Sequence, residues 1–174
     1  VQEYLNKKPR NIGDHILSHM TKCDPNIQLN EVRVNNQDLD RLTLSSNDNE
    51  LTIEASGYAQ IPIRIDIEFQ LCDQYENILA YFSPGHFNED ILRIQKGIFT
   101  VKRTAILPNG IQEGNYYLDI FFTDPNKYGY IDIPKAVSIH HYGITNHSGS
   151  LNRRGLRNGW LILESKKNNS EYRN

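Results

Sequence analysis

The sequence is poor in cysteine and lacks long hydrophobic runs. Only Cys23 and Cys72 occur among the 174 residues, far apart and in unlike surroundings. This does not resemble the disulfide framework of a small secreted domain, so a reducing compartment is the simpler interpretation. No apolar run approaches the roughly 20 residues that a membrane-spanning helix needs, and the first residues do not have the layout of a signal peptide.

Basic charge and nucleotide-binding motifs are scarce as well. The net charge is -2, which gives no positive field of the kind that nucleic-acid binding exploits, so no nucleic-acid partner is predicted. The chain contains no Gly-x-x-x-x-Gly-Lys-Ser/Thr segment and no Gly-x-Ser-x-Gly segment. It therefore cannot bind ATP as a P-loop protein, and no nucleophile elbow indicates a hydrolase. We predict neither an enzyme nor a cofactor.

Strand signals dominate the rest of the chain. Between Ile61 and Leu71 every odd position is apolar and the even positions are mostly charged, which predicts a strand with one face in the core. Further strands are predicted at 27–34, 42–44, 51–54, 78–82, 98–107, 115–122, 136–142 and 159–163. The polar excursion between Phe82 and Ile98 is predicted to be a loop of functional length. The fold class is all-β, an immunoglobulin-like Greek-key β-sandwich.

Outward-facing positions on three of these strands form a candidate recognition face. If Leu118 and Ile120 point to the core, the intervening residues point outward, and the same argument applies to the other two strands. If the three strands are neighbours, they form an aromatic and polar patch suited to stacking on sugar rings and holding their hydroxyls. The alternative is a solvated sheet or a dimer contact. The candidate residues are Tyr117, Asp119, Phe121, His140, Tyr142, Arg64, Asp66 and Glu68.

Two other site types have weaker support. His15, His19 and Cys23 are spaced by four and would share one face of a helix, but they do not supply the fourth ligand that a structural zinc site needs. No metal site is predicted. Asp66 and Glu68 could form a glycosidase pair, but their alternation with apolar residues predicts exposure, whereas a catalytic acid needs burial to raise its pKa.

An ordered set of short segments resembles a known family, the C-terminal carbohydrate-binding domain of the ATP-binding subunit of polysaccharide ABC transporters of the O-antigen type. The set spans roughly residues 26–164. The segments are Phe69-Gln70-Leu71-Cys72-Asp73 with Asn77, Phe82-Ser83-Pro84-Gly85, Leu107-Pro108, Glu113-Gly114-Asn115-Tyr116, Phe122-Thr123-Asp124-Pro125, Ala136-Val137 and Gly159-Trp160-Leu161.

The resemblance implies a function and an organisation. It implies a non-catalytic, cytoplasmic β-sandwich homodimer that binds the export polysaccharide beside a transmembrane permease at the inner face of the plasma membrane, within lipopolysaccharide biosynthesis. Residues 1–25, with a short helical pattern, would be a linker from an absent ATPase domain, residues 26–164 the sandwich, and residues 165–174 a flexible tail. The start at Val1 agrees with an excised fragment. The alternative function is a dimerisation or docking sandwich without sugar affinity.

Overall fold

The protein is a sandwich of two β-sheets. The structure, a computed structural model, describes residues 15–38, 40–45, 48–107, 111, 114–142 and 161–162. The smaller sheet is antiparallel and contains β2 (Ile27–Val34), β4 (Glu50–Ala59) and β8 (Gly97–Ile106), in that order. The prediction of an all-β sandwich is confirmed.

The larger sheet holds most of the described strands. Its order is β1 (Lys22–Cys23), β10 (Tyr128–His141), β9 (Gly114–Asp124), β5 (Ile63–Asp73), β6 (Ile78–Phe82) and β11 (Leu161–Ile162). Two short strands join it from the side: β3 (Arg41–Leu44) pairs with β10, and β7 (Leu92–Ile94) pairs with β5. Outside the strands, the described residues form a 3-10 helix (Ile16–His19) and one helical turn, α1 (Pro84–Phe87).

The core lies between the sheets and follows the period-two pattern of the central strands. Phe69 on β5 and Ile120 on β9 are opposite each other, and both are fully buried. The ring of Phe69 also stacks on Phe82 of β6, with 4.9 Å between the ring centroids. Each large apolar side chain buried in this way contributes about 1.5–3 kcal/mol relative to exposure, so these central strands anchor the sandwich.

Several elements extend beyond their predicted limits. Strand β4 continues to Ala59 with an alternating burial pattern, and β10 begins at Tyr128, which pairs with Asp124 of β9. The excursion after Phe82 is not an open loop, since it contains α1 and β7. Of the predicted strand 159–163 the structure describes 161–162, and the predicted tail 165–174 lies outside the described residues.

The N-terminal segment predicted as a linker joins the sandwich from Ile16 onward. Ile16 is fully buried, and Lys22 of β1 pairs with Asp132 of β10. The Thr21 amide also donates to the Asp132 carbonyl at 2.9 Å. The prediction that this stretch lies outside the fold is therefore wrong for 16–23, because a short apolar pattern among charged residues does not reveal that it adds a strand. Residues 1–14 lie outside the described residues.

Truncating Ile16 tests whether this segment belongs to the cooperative unit. We expect Ile16→Ala to lower the free energy of unfolding by about 2–4 kcal/mol, because it removes a fully buried side chain. The matched control is Ile61→Ala, since Ile61 is 47% exposed and should cost little. Urea unfolding measures both variants. Equal stability of the two variants would show that the segment is only loosely attached.

Candidate functional site

The three candidate strands are direct neighbours in the larger sheet. In the register, Asp119 of β9 lies opposite Gln70 of β5, and Phe121 lies opposite Glu68. Tyr117 lies between Cys72 on one side and Ser138 of β10 on the other. The side chains of Tyr117, Asp119 and Phe121 are all partly exposed on the outer face, as the alternation predicts. We call these three residues the aromatic face.

Lys135 closes one side of the aromatic face. It lies in the irregular stretch of β10 between Ile133 and Val137, where its backbone has a left-handed φ of 49°. Its backbone amide donates a hydrogen bond to Asp119 Oδ1 at 2.7 Å. Its ammonium group lies 5.8 Å from the centroid of the Tyr117 ring and 2.6 Å from Glu76 Oε1. This contact lowers the pKa of the Glu76 carboxyl and raises the pKa of Lys135. Non-glycine residues with positive φ are uncommon and are often found at functional sites.

Asp66 and Glu68 point to the predicted side of β5, but the prediction that they face water is wrong. Asp66 is fully buried and Glu68 is 6% exposed. The chain after β6 covers them, and the Gly85 amide of α1 donates to Asp66 Oδ2 at 2.6 Å. Periodicity indicates the face to which a side chain belongs, but it gives no information about what covers that face.

Glu68 accepts hydrogen bonds from three hydroxyl groups. The donors are Tyr81 Oη at 2.5 Å, Ser83 Oγ at 2.8 Å and Thr123 Oγ1 at 2.9 Å. They come from β6, from the residue before α1 and from β9. A buried carboxylate needs such donors to offset its loss of hydration. Glu68 therefore joins three parts of the fold beneath the outer surface.

A buried ion pair holds Asp66. Arg103 of β8 donates from Nε to Asp66 Oδ1 at 2.7 Å, and its side chain is 5% exposed. The same guanidinium group contacts the Asp90 carboxylate, with 3.0 Å between Nη1 and Oδ2, and donates to the Asp90 carbonyl. Loss of hydration outweighs the attraction of Arg103 and raises the pKa of Asp66 to about 6.

The remaining candidate residues lie at the two ends of the face. His140 contacts Asn115, with 2.8 Å between Nδ1 and Oδ1, and packs edge-to-face against Tyr142 at 4.6 Å. Arg64 lies near the opposite end of the strands, where its Nε is 3.4 Å from Asp124 Oδ1. His141 is buried although its neighbour His140 is partly exposed, as expected for successive residues of a strand.

Sequence reasoning missed three residues of this surface. They are Tyr81, Phe87 and Lys135. Tyr81 of β6 lies opposite Gln70 of β5. Phe87 of α1 is 49% exposed and packs edge-to-face on Tyr81, with 6.1 Å between the ring centroids. The hairpin of β5 and β6 could have placed Tyr81, because Tyr81 and Gln70 are near-symmetric about the Asp73–Asn77 turn. Phe87 and Lys135 depend on an irregular turn and a strand irregularity, for which the sequence carries no periodic signal.

The His15, His19 and Cys23 spacing does not form a helical array. The 3-10 helix covers Ile16–His19 and Cys23 lies in β1, so the three side chains are not on one helix face. Across the described part of the chain, no three His, Cys, Asp or Glu residues come together as a metal site. Within the same residues, no helix has the length and apolar character required of a membrane span.

One solved domain, compared with this chain, has a similar fold. The C-terminal domain of Wzt matches with a TM-score of 0.52 and 11% identity, over 79% of this chain and 90% of that domain. The cupredoxin domain of AmoB from Nitrosocaldus yellowstonii has a TM-score of 0.42 and 8% identity, over 74% and 95% of the two chains. No protein-family model and no curated protein matches the sequence. The first similarity confirms the resemblance read from the sequence at the level of the fold.

The burial of Asp66 predicts a pH dependence of stability. Because the pKa of Asp66 is raised from 3.8 to about 6, the folded protein binds this proton more tightly than the unfolded chain does. The resulting stability is complete below about pH 4 and is lost as the pH rises through about 6. Asp66→Asn removes this titration.

We therefore expect the difference in free energy of unfolding between wild type and Asp66→Asn to shift in favour of wild type as the pH falls from 7 to 5. The shift over this range should be about 1 kcal/mol, because at about 1.4 kcal/mol per pKa unit only part of the difference between 3.8 and about 6 is titrated between pH 7 and 5. Urea unfolding at several pH values measures it, and titration of other groups cancels in the difference. Parallel curves for the two proteins would show that Arg103 keeps Asp66 ionised throughout.

Proposed function

We propose that this domain recognises the polysaccharide exported by an ABC transporter of the O-antigen type, without catalysing a reaction. The observation that carries the proposal is the aromatic face, with Tyr117 and Phe121 flanking Asp119 at alternate positions of β9, on a fold like that of the Wzt C-terminal domain. Aromatic rings offer flat surfaces to the C–H faces of sugars, and carboxylate or amide groups hold hydroxyls.

Charge and hydrogen bonding on this face agree with a sugar ligand. Asp119 has one oxygen engaged by the Lys135 amide and the other 3.8 Å from Cys72 Sγ, a weak partner. Gln70 lies directly beside it and is partly exposed. A carboxylate and an amide side by side can bind neighbouring hydroxyls of one sugar ring.

A glycosidase is not favoured by the same geometry. Asp66 is fully buried against Arg103, and Glu68 already accepts three hydroxyl groups. A general acid or nucleophile must reach the substrate, and neither carboxylate is placed to do so. We therefore assign these two groups to support of the surface above them.

The setting of the domain follows from the proposed function. The domain would act as a homodimer on the cytoplasmic side of the plasma membrane, in lipopolysaccharide biosynthesis, with an ABC ATPase domain in the same parent chain and a transmembrane permease as partners. The ATPase domain would carry out nucleotide hydrolysis.

A second candidate function is a docking or dimerisation module without sugar affinity. The smaller sheet favours it, because Ile98 is 86% exposed and pairs with Tyr58, which is 39% exposed, on the outer side of β8 and β4. Exposed apolar side chains that adjoin one another are typical of interaction surfaces. This surface lies on the other sheet from the aromatic face, so the two functions can be tested separately.

Tyr117→Ala tests the proposed function. We expect the dissociation constant for the polysaccharide of the source organism to rise about tenfold, the loss that corresponds to about 1.4 kcal/mol, because a stacking surface is removed. Heteronuclear NMR titration measures the affinity and reports whether shifts fall on the aromatic face.

The matched control is Tyr58→Ala, which removes a tyrosine from the outer side of the other sheet. It should leave glycan affinity unchanged. If wild type does not bind the polysaccharide and Tyr58→Ala dissociates an oligomer, the docking module is the correct function.

A further inference from the structure

The turn that carries α1 is fixed to the sandwich at both ends. At its start, Ser83 Oγ donates to Glu68 at 2.8 Å and the Gly85 amide donates to Asp66 at 2.6 Å. At its end, Asp90 contacts Arg103 through both its carboxylate and its carbonyl. The three partner residues, Glu68, Asp66 and Arg103, are all buried in the sandwich, so these contacts fix the turn to it.

Gly85 shows how closely the turn is seated. A Cβ atom at this position would lie 2.7 Å from Asp66 Oδ2 and 2.7 Å from Pro125 Cγ. Real Cβ atoms do not approach other atoms so closely, so any side chain at 85 would push α1 away from β5. The close seating is therefore specific to glycine.

The fixed turn presents an aromatic group to solvent. Phe87 is 49% exposed, packs edge-to-face on Tyr81 with 6.1 Å between ring centroids, and has His86 next to it at 5.3 Å. The hydroxyl of Tyr81 is held by Glu68. Packing in the core does not explain why a phenylalanine is at position 87, because about half of its surface is exposed.

This aromatic group continues the aromatic face. Tyr81 on β6, Gln70 on β5 and Asp119 on β9 form one row across three adjacent strands. Neighbouring strands are about 4.8 Å apart, so Tyr81 lies roughly 10 Å from Asp119 along the row. A chain of sugar rings lying across the strands would reach both.

We propose that Phe87 and Tyr81 form a second sugar-binding subsite, which holds a ring of the same polysaccharide beyond the one bound at Tyr117 and Asp119. This inference rests on the proposed function. Rings held rigidly before binding lose little conformational freedom when a ligand arrives, so the fixed turn would preserve affinity. The subsite takes an uncharged pyranose face, because the Phe87 ring is apolar and the Tyr81 hydroxyl is already engaged by Glu68.

Phe87→Ala separates the subsite from the aromatic face. The probes are the polysaccharide of the source organism and a single repeat unit released from it, measured by isothermal titration calorimetry. We expect Phe87→Ala to weaken binding of the long chain about fivefold to tenfold and to leave binding of the single repeat unit to the aromatic face unchanged. Tyr58→Ala is the control and should change neither.

A second variant tests the role of the turn without removing the ring. Asp90→Asn weakens the contact with Arg103, and Asp90 is itself 44% exposed at its side chain, so the fold should persist. We expect a loss of long-chain affinity of about two- to fivefold, together with altered chemical shifts of the Phe87 ring. If the Phe87 ring is displaced in this variant and the affinity is unchanged, the turn does not position Phe87 for binding.

The outcomes distinguish the subsite from the proposed function. If wild type binds the long chain and Phe87→Ala binds it equally well, the subsite is wrong and the proposed function stands. If wild type binds neither probe, the proposed function fails and the subsite fails with it. If Phe87→Ala instead changes the oligomeric state in light scattering, Phe87 belongs to a protein interface and the subsite is overturned.

Discussion

The ion pair of Asp66 and Arg103 is the contact on which the polar half of this sandwich depends. Asp66 belongs to β5 of the larger sheet and Arg103 to β8 of the smaller one, so the pair joins the two sheets. Removing two charges from water is costly, and such a pair persists only when hydrogen bonds satisfy its remaining groups. Here the Gly85 amide and Asp90 supply them, and the turn between β6 and β7 is fixed as a result.

This arrangement divides the outer face of the larger sheet into two parts. Around Asp66 and Glu68 the face is covered by α1, whereas around Tyr117 and Asp119 it remains partly open. The covered part contains the buried carboxylates, and the open part contains aromatic and polar side chains. Because α1 covers one part, the accessible aromatic and polar side chains lie together on a narrow surface. A few polar groups placed close together are typical of selective binding sites.

The sequence predicts the strands and their faces well, because period-two alternation is a property of each strand alone. Tyr117, Asp119 and Phe121 are placed correctly for this reason. The burial of Asp66 and Glu68 could not be predicted, since it depends on a turn about 20 residues further along the chain and on Arg103 from the other sheet. The same limit applies to Lys135, whose backbone geometry arises at a strand irregularity.

The buried carboxylates are better understood as supports than as functional groups. Glu68 has three hydroxyl partners and Asp66 has a guanidinium and an amide, so both have already exchanged hydration for internal contacts. A ligand could not improve on those contacts without opening the fold. What the carboxylates fix, namely Tyr81 and the turn that presents Phe87, remains accessible. The role of the buried carboxylates is therefore to hold the rings of Tyr81 and Phe87 in place at the surface.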